Sequence, residues 1–248
     1  MRSIIRYTLY MPQNEMNASH IHTFLHRYAV CFTDKKYVAS LILALCMLAA
    51  GLVANAYAVS YATDSASAPV TDLVLSNVRV YDVDSLFVNG AIALGIFIIG
   101  VCLWDPARLP FVVKSIAIFV ITRSIFIMVT HIGAFPTHAI INPDSQNLIR
   151  DVIGARLYSS FFLGNDSFFS GHTGLPFLMA LLYWDRRWLR MIFIAVSAVF
   201  AAVVLLGHLH YTIDVLSAFF IAYGVYRISR KLFAEDEAFL RASGAGRL

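Results

Sequence analysis

The chain has 248 residues, of which 59% are hydrophobic and only 14% charged, and its mean hydropathy is +0.71. A soluble domain of this length carries about a quarter charged residues, and here the apolar residues come in long runs rather than alternating, so a soluble globular protein is excluded in favour of an integral membrane protein. The net charge of +4 comes without clusters of Lys and Arg interleaved with aromatics, which argues against a nucleic-acid binder.

Residues 1–34 are mixed and polar, with Arg2, Arg6 and Arg27, and lack the apolar stretch of a cleavable signal peptide. They are expected to form a loosely ordered or interfacial cytoplasmic segment. Lys35 and Lys36 precede a first predicted span at about Tyr37–Tyr61. A polar loop, 62–84, holds Asp64, Asp72, Asp82 and Asp84. The second span follows at about Ser85–Trp104, the turn Asp105-Pro106-Ala107-Arg108 next, and the third span at about Pro110–Thr130. A long loop, 131–167, leads to a fourth span at about Phe168–Trp184, with a fifth at about Leu189–Leu206 and a sixth at about His210–Ile228. Residues 232–248 read as a frayed cytoplasmic tail. The three cysteines, Cys31, Cys46 and Cys102, have no metal spacing and predict neither a disulfide framework nor a metal site.

The fold expected is therefore all-α, a six-transmembrane-helix bundle over residues 35–231. Lys and Arg gather before span one, between spans two and three, between four and five, and after six, which places both termini in the cytoplasm. In that topology the start of span four and the start of span six share the non-cytoplasmic face.

Both starts are polar islands. In Gly207-His208-Leu209-His210-Tyr211-Thr212-Ile213-Asp214, His210 and Asp214 are four residues apart and would share a helix face. A carboxylate bonded to one ring nitrogen fixes the tautomer and frees the other nitrogen as nucleophile or base. An Asp one turn into a membrane helix also demands a partner. The bland alternative is a structural pair tying helices together. In Ser170-Gly171-His172-Thr173, free N–H groups at a helix start and a glycine allow close approach of an anion such as phosphate. Pro176 places that start near the island, and His172 could protonate a leaving oxygen. Arg123, inside span three, needs a wet or charged surrounding; it would pair Asp166 or Asp214, or grip a phosphate. Lys114 is expected to snorkel to cytoplasmic headgroups. His208, His210 and Asp214 do not make three ligands on one helical face, so no metal is expected.

Ser-Gly-His-Thr opening one span, after Gly164-Asn165-Asp166-Ser167-Phe168-Phe169, and His-Tyr-Thr-Ile-Asp-Val opening the last, resemble the signatures of the sphingomyelin synthase family. That family is a branch of the type 2 phosphatidic acid phosphatase superfamily. Arg123 through Pro136 resembles a looser motif of the family. The resemblance covers roughly residues 110–225 and puts Asp166 in its acidic position. It implies a two-step transfer without cofactor or metal. His210, helped by Asp214, would attack the phosphorus of phosphatidylcholine or phosphatidylethanolamine, and diacylglycerol would leave with a proton from His172. Ceramide would then take the headgroup from the phosphohistidine, giving sphingomyelin or ceramide phosphoethanolamine. Arg123, Asp166, Ser170, Gly171 and Thr173 would bind substrate. The wider phosphatase branch carries an Arg six residues before the catalytic histidine and a Lys-x6-Arg-Pro motif. Here that position is Val204, and Lys114 and Arg123 have the wrong spacing, which favours a singly charged phosphodiester over a phosphate monoester. A lipid phosphatase or phospholipase-C-like hydrolase using the same groups is the alternative. The expected site is periplasmic in a bacterium and lumenal or exofacial in a eukaryote.

Overall fold

A computed structural model of the chain describes residues 26–130, 132–137 and 169–242. Every regular element among them is helical: α1 (Lys35–Asp64), α2 (Asp84–Trp104), a 3-10 turn (Pro106–Arg108), α3 (Leu109–Val129), α4 (Gly171–Leu182), α5 (Arg187–Leu206), α6 (Thr212–Leu232) and α7 (Ala234–Ala242). Five are long and apolar enough to cross a membrane, namely α1, α2, α3 with its leading turn, α5 and α6. The chain is an integral membrane protein.

The fourth apolar helix differs from expectation. It was predicted across about Phe168–Trp184, but α4 has 12 residues, about 18 Å of helix against a ~30 Å hydrocarbon core. Its start is sharp because the Ser170 side chain accepts from Thr173 N–H, an N-cap. Its end is fixed by charge: Arg108 donates to the Leu182 carbonyl at 3.1 Å.

The helices alternate in direction, and their contacts define two poles. At one pole Arg108 bonds Asp105 at 3.0 Å and Asp185 through both terminal nitrogens, with Arg186 3.9 Å from Asp105. Lys114 lies at this pole too, but it does not snorkel outward. It is 5% exposed and donates to Asp236 of α7 at 2.7 Å and to Ser40 of α1 at 2.8 Å. Residues 234–242 are accordingly an ordered helix rather than a frayed tail, with Leu240 buried beside Tyr37 and Cys31. The reason is electrostatic: a buried ammonium needs a carboxylate, and Asp236 supplies it.

Between the poles α1 packs along α3, and α4 packs against α5 and α6. The core joins Phe111 and Phe119 of α3, Leu178 and Met179 of α4, Phe193 and Phe200 of α5, and Ala218 and Ala222 of α6. Gly174 is required where α4 meets α3, since a Cβ there would lie 2.8 Å from the Phe119 ring.

Replacing Arg108 by Ala removes the hydrogen-bonded cation from Asp105, itself 4% exposed, leaving the more distant Arg186 and Arg27. The expected loss is about 3 kcal/mol, read as a lowered Tm of the detergent-solubilised protein. Arg230→Ala, which breaks a half-exposed pair with Glu237, should cost at most about 1 kcal/mol.

Candidate active site

The opposite pole gathers the polar islands. Asp72, from the loop between α1 and α2, accepts from Thr212 N–H at 2.7 Å and from the Thr212 hydroxyl at 2.8 Å. The same carboxylate accepts from the N–H groups of Val74 and Leu75. It therefore satisfies the first orphan N–H of α6 from outside the helix and pins that helix start to the loop. Tyr211 adds a second tie, donating from its hydroxyl to the Gly133 carbonyl at 2.9 Å and accepting from Val70 N–H at 3.2 Å.

This start of α6 corrects the sequence expectation for His210. Thr212 is the first helical residue and Tyr211 its N-cap, so His210 precedes the helix and shares no helical face with Asp214. The pair forms all the same, because the chain turns before Tyr211. His210 Nδ1 lies 3.6 Å from Asp214 Oδ2, with both side chains almost fully buried. That is beyond hydrogen-bond length but within the range that tightens when substrate binds. Asp214 Oδ2 already accepts from Tyr211 N–H at 2.9 Å, and Asp214 Oδ1 has no hydrogen-bond partner among the described residues. Position 214 is thus both a cap of α6 and the carboxylate facing the imidazole.

The second island meets the first through the backbone. Ser170 N–H donates to the Asp214 carbonyl at 3.1 Å, joining the start of α4 to the start of α6. His172 follows in the first turn of α4, stacked against Phe87 of α2 at 4.2 Å between ring centroids and against Phe200 of α5 at 5.7 Å. His210 and Arg123 both lie within electrostatic reach of His172. Thr173 is fully buried, and its carbonyl accepts from the Ser197 hydroxyl at 2.7 Å, which holds α4 to α5.

Arg123 joins from α3. A Cβ on Gly171 would lie 3.1 Å from Arg123 Nε, so the guanidinium rests directly on the glycine of the Ser-Gly-His-Thr turn. Of the partners expected for Arg123, Asp214 is within electrostatic reach, and Asp166 lies outside the described residues. Its Nη1 donates to Asn55 of α1 at 2.9 Å, a partner the sequence reading missed. Asn55 is 2% exposed in a span that otherwise reads as uninterrupted apolar helix. A buried amide needs partners there, and that was the one signal available. Arg123 is six residues before the end of α3, so the start of α4 stands about 9 Å short of it.

His208, in the turn before α6, is also built in. It adopts a left-handed backbone, φ 52°, is 2% exposed, and its Nδ1 is 2.5 Å from the Thr137 hydroxyl. With Tyr211 it fastens residues 132–137 over the turn, where Phe135 packs edge-on against both rings.

Seven of the eight sequence-selected residues thus lie at one pole, where contacts bind six helices together. Residues 164–231 match the family model described as PAP2 superfamily C-terminal. The match spans His172, His210, Asp214 and the Asp166 position, and leaves Arg123 and Asn55 outside it. It supports the type 2 phosphatidic acid phosphatase superfamily, and with it an enzyme of lipid phosphatase or phosphotransferase type. No curated protein and no solved structure matches the chain.

Asp72 gives this pole a pH signature. Burial opposes its ionisation, but the bonds from Leu75, Thr212 and Val74 outweigh burial and hold its carboxyl below the ordinary carboxylate range. A lowered folded-state pKa means its stabilisation is fully present above the unfolded value of about 3.9 and fades as pH falls through the lower one. Thermal stability of the wild type should fall below that range, and Asp72→Asn should be less stable at neutral pH with a flatter acid limb.

Proposed function

We propose that the protein is a phospholipid headgroup transferase, moving phosphocholine or phosphoethanolamine from a glycerophospholipid to ceramide. The observation that carries the reading is the Ser170–Asp214 backbone bond, because it joins the start of α4, which carries His172, to the start of α6, which His210 precedes, beside Arg123. With Nδ1 of His210 turned to Asp214, its Nε2 is the nucleophile. Nε2 attacks phosphorus, forming a P–N bond as the P–O bond to diacylglycerol breaks. His172 gives its proton to the departing oxygen. The primary hydroxyl of ceramide then attacks the same phosphorus, its proton passes to His172, and the P–N bond breaks. Arg123 and the N–H groups at the start of α4 receive the phosphate charge, with Asp166 as a further binding residue. No cofactor is used.

Among the described residues Arg123 is the one Lys or Arg side chain placed beside the histidines, which suits a phosphodiester with a single charge better than a monoester with about two. This supports transfer of a substituted phosphate over simple dephosphorylation. A hydrolase with water as acceptor remains the alternative, since Asp214 and His172 would serve it equally. For topology we propose six crossings, α4 belonging to the fourth. The pole with Arg108, Lys114, Arg186 and Arg230 would be cytoplasmic and the histidine pole non-cytoplasmic.

Headgroup-labelled phosphatidylcholine given to purified protein, with and without ceramide, tests this directly. Expected are labelled sphingomyelin only when ceramide is present and, without it, a labelled protein adduct that is lost in His210→Ala. Asp214→Asn should lower kcat by about 10²-fold or more. Headgroup release independent of ceramide would establish the hydrolase instead.

A further inference from the structure

Beside the histidines, α2 and α5 part to leave a lateral groove of about 420 Å³. Its walls are wholly apolar, with Leu86, Gly90 and Phe97 on one side and Ala195, Val199 and Phe200 on the other. Gly90 keeps it open, since a Cβ there would already lie 3.3 Å from the Phe200 ring. We infer that this groove is the binding site for one acyl chain of the phospholipid donor.

Three observations choose that occupant. The groove adjoins the reactive centre, because Phe200, which lines it, also packs against the His172 ring. Its length suits a single leaflet: it follows α2 from Leu86 to Phe97 and α5 from Ile192 to Val203, in each case about 16 Å, roughly half the ~30 Å hydrocarbon core. Its volume falls within the ~300–1,000 Å³ of small-ligand sites, while its lining offers no polar group to orient anything but hydrocarbon. A chain running from a phosphorus at His210 toward the bilayer midplane meets each condition. Ceramide would then approach from another side of the site, so that donor and acceptor chains do not compete. The headgroup's identity rests on the phosphotransfer reading, but occupancy of the groove by a lipid chain does not.

Ala93 and Ala195 line the groove with exposed side chains, so Ala93→Phe/Ala195→Phe fills it without disturbing the core. Against long-chain phosphatidylcholine this variant should show KM raised about tenfold, the worth of roughly two buried methylene groups. Turnover of a water-soluble short-chain phosphatidylcholine should be within about twofold of wild type. Equal loss on both donors, or no loss on either, overturns the assignment. Wild type inactive on both donors ends the phosphotransfer reading, and a second measurement then decides the groove alone. In vesicles, phosphatidylcholine with a diazirine at the end of one acyl chain should label the groove residues of α2 and α5. That labelling should fall at least fivefold in the filled variant and persist in His210→Ala. Labelling of lipid-facing Val53 and Phe220 as heavy as that of the groove, or unchanged by filling it, sinks the proposal.

Discussion

A single backbone hydrogen bond, Ser170 N–H to the Asp214 carbonyl, is the constraint on which the histidine pole depends. In the low dielectric of a membrane protein neither group can be left unpaired. Satisfying both forces the first turn of α4 against the first turn of α6, and their side chains follow. Asp214 then carries three duties: its carbonyl holds α4, one carboxylate oxygen caps α6, and the carboxylate faces His210. Packing alone would tolerate small slips between these helices, whereas a hydrogen bond between termini fixes their relative height.

The two poles solve the same problem differently. At the Arg108 pole buried charges are paired with opposite charges, through Asp105, Asp185 and the Lys114–Asp236 bridge, and the arrangement is closed. At the histidine pole the neighbours of Arg123 include a neutral amide and a glycine backbone. Asp214 is also within electrostatic reach, so the charge of Arg123 is met both by dipoles and by the carboxylate that faces His210. Closed pairing gives a bundle its stability, and a carboxylate shared between an arginine and an imidazole ties the charge of the second pole to its histidine.

Much of this was legible in the sequence because the bilayer makes hydropathy decisive. The bounds of α2, α3 and α5 fall within a few residues of the apolar runs, and the two His-containing islands announced themselves as polar residues in apolar surroundings. What could not be read depends on three-dimensional partners. The length of α4 is set by its Ser170 cap and by Arg108 reaching its last carbonyl, neither of which hydropathy registers. The His210–Asp214 spacing suggested a helical face, yet Asp72, 140 residues away in sequence from Thr212, starts the helix two residues later. Asn55 and Asp236 take their roles from Arg123 and Lys114, which only the fold brings beside them.

The brevity of α4 has a further consequence. Among the described helices, α3 runs about 9 Å past the level of its first residue, so the His172 imidazole lies below the end of that helix rather than level with it. Charges there interact through a medium much less polar than bulk water, and each contact with a developing oxyanion strengthens accordingly. Losing two turns from one helix is enough to set the groups at its start deeper in that medium than an interfacial bend would.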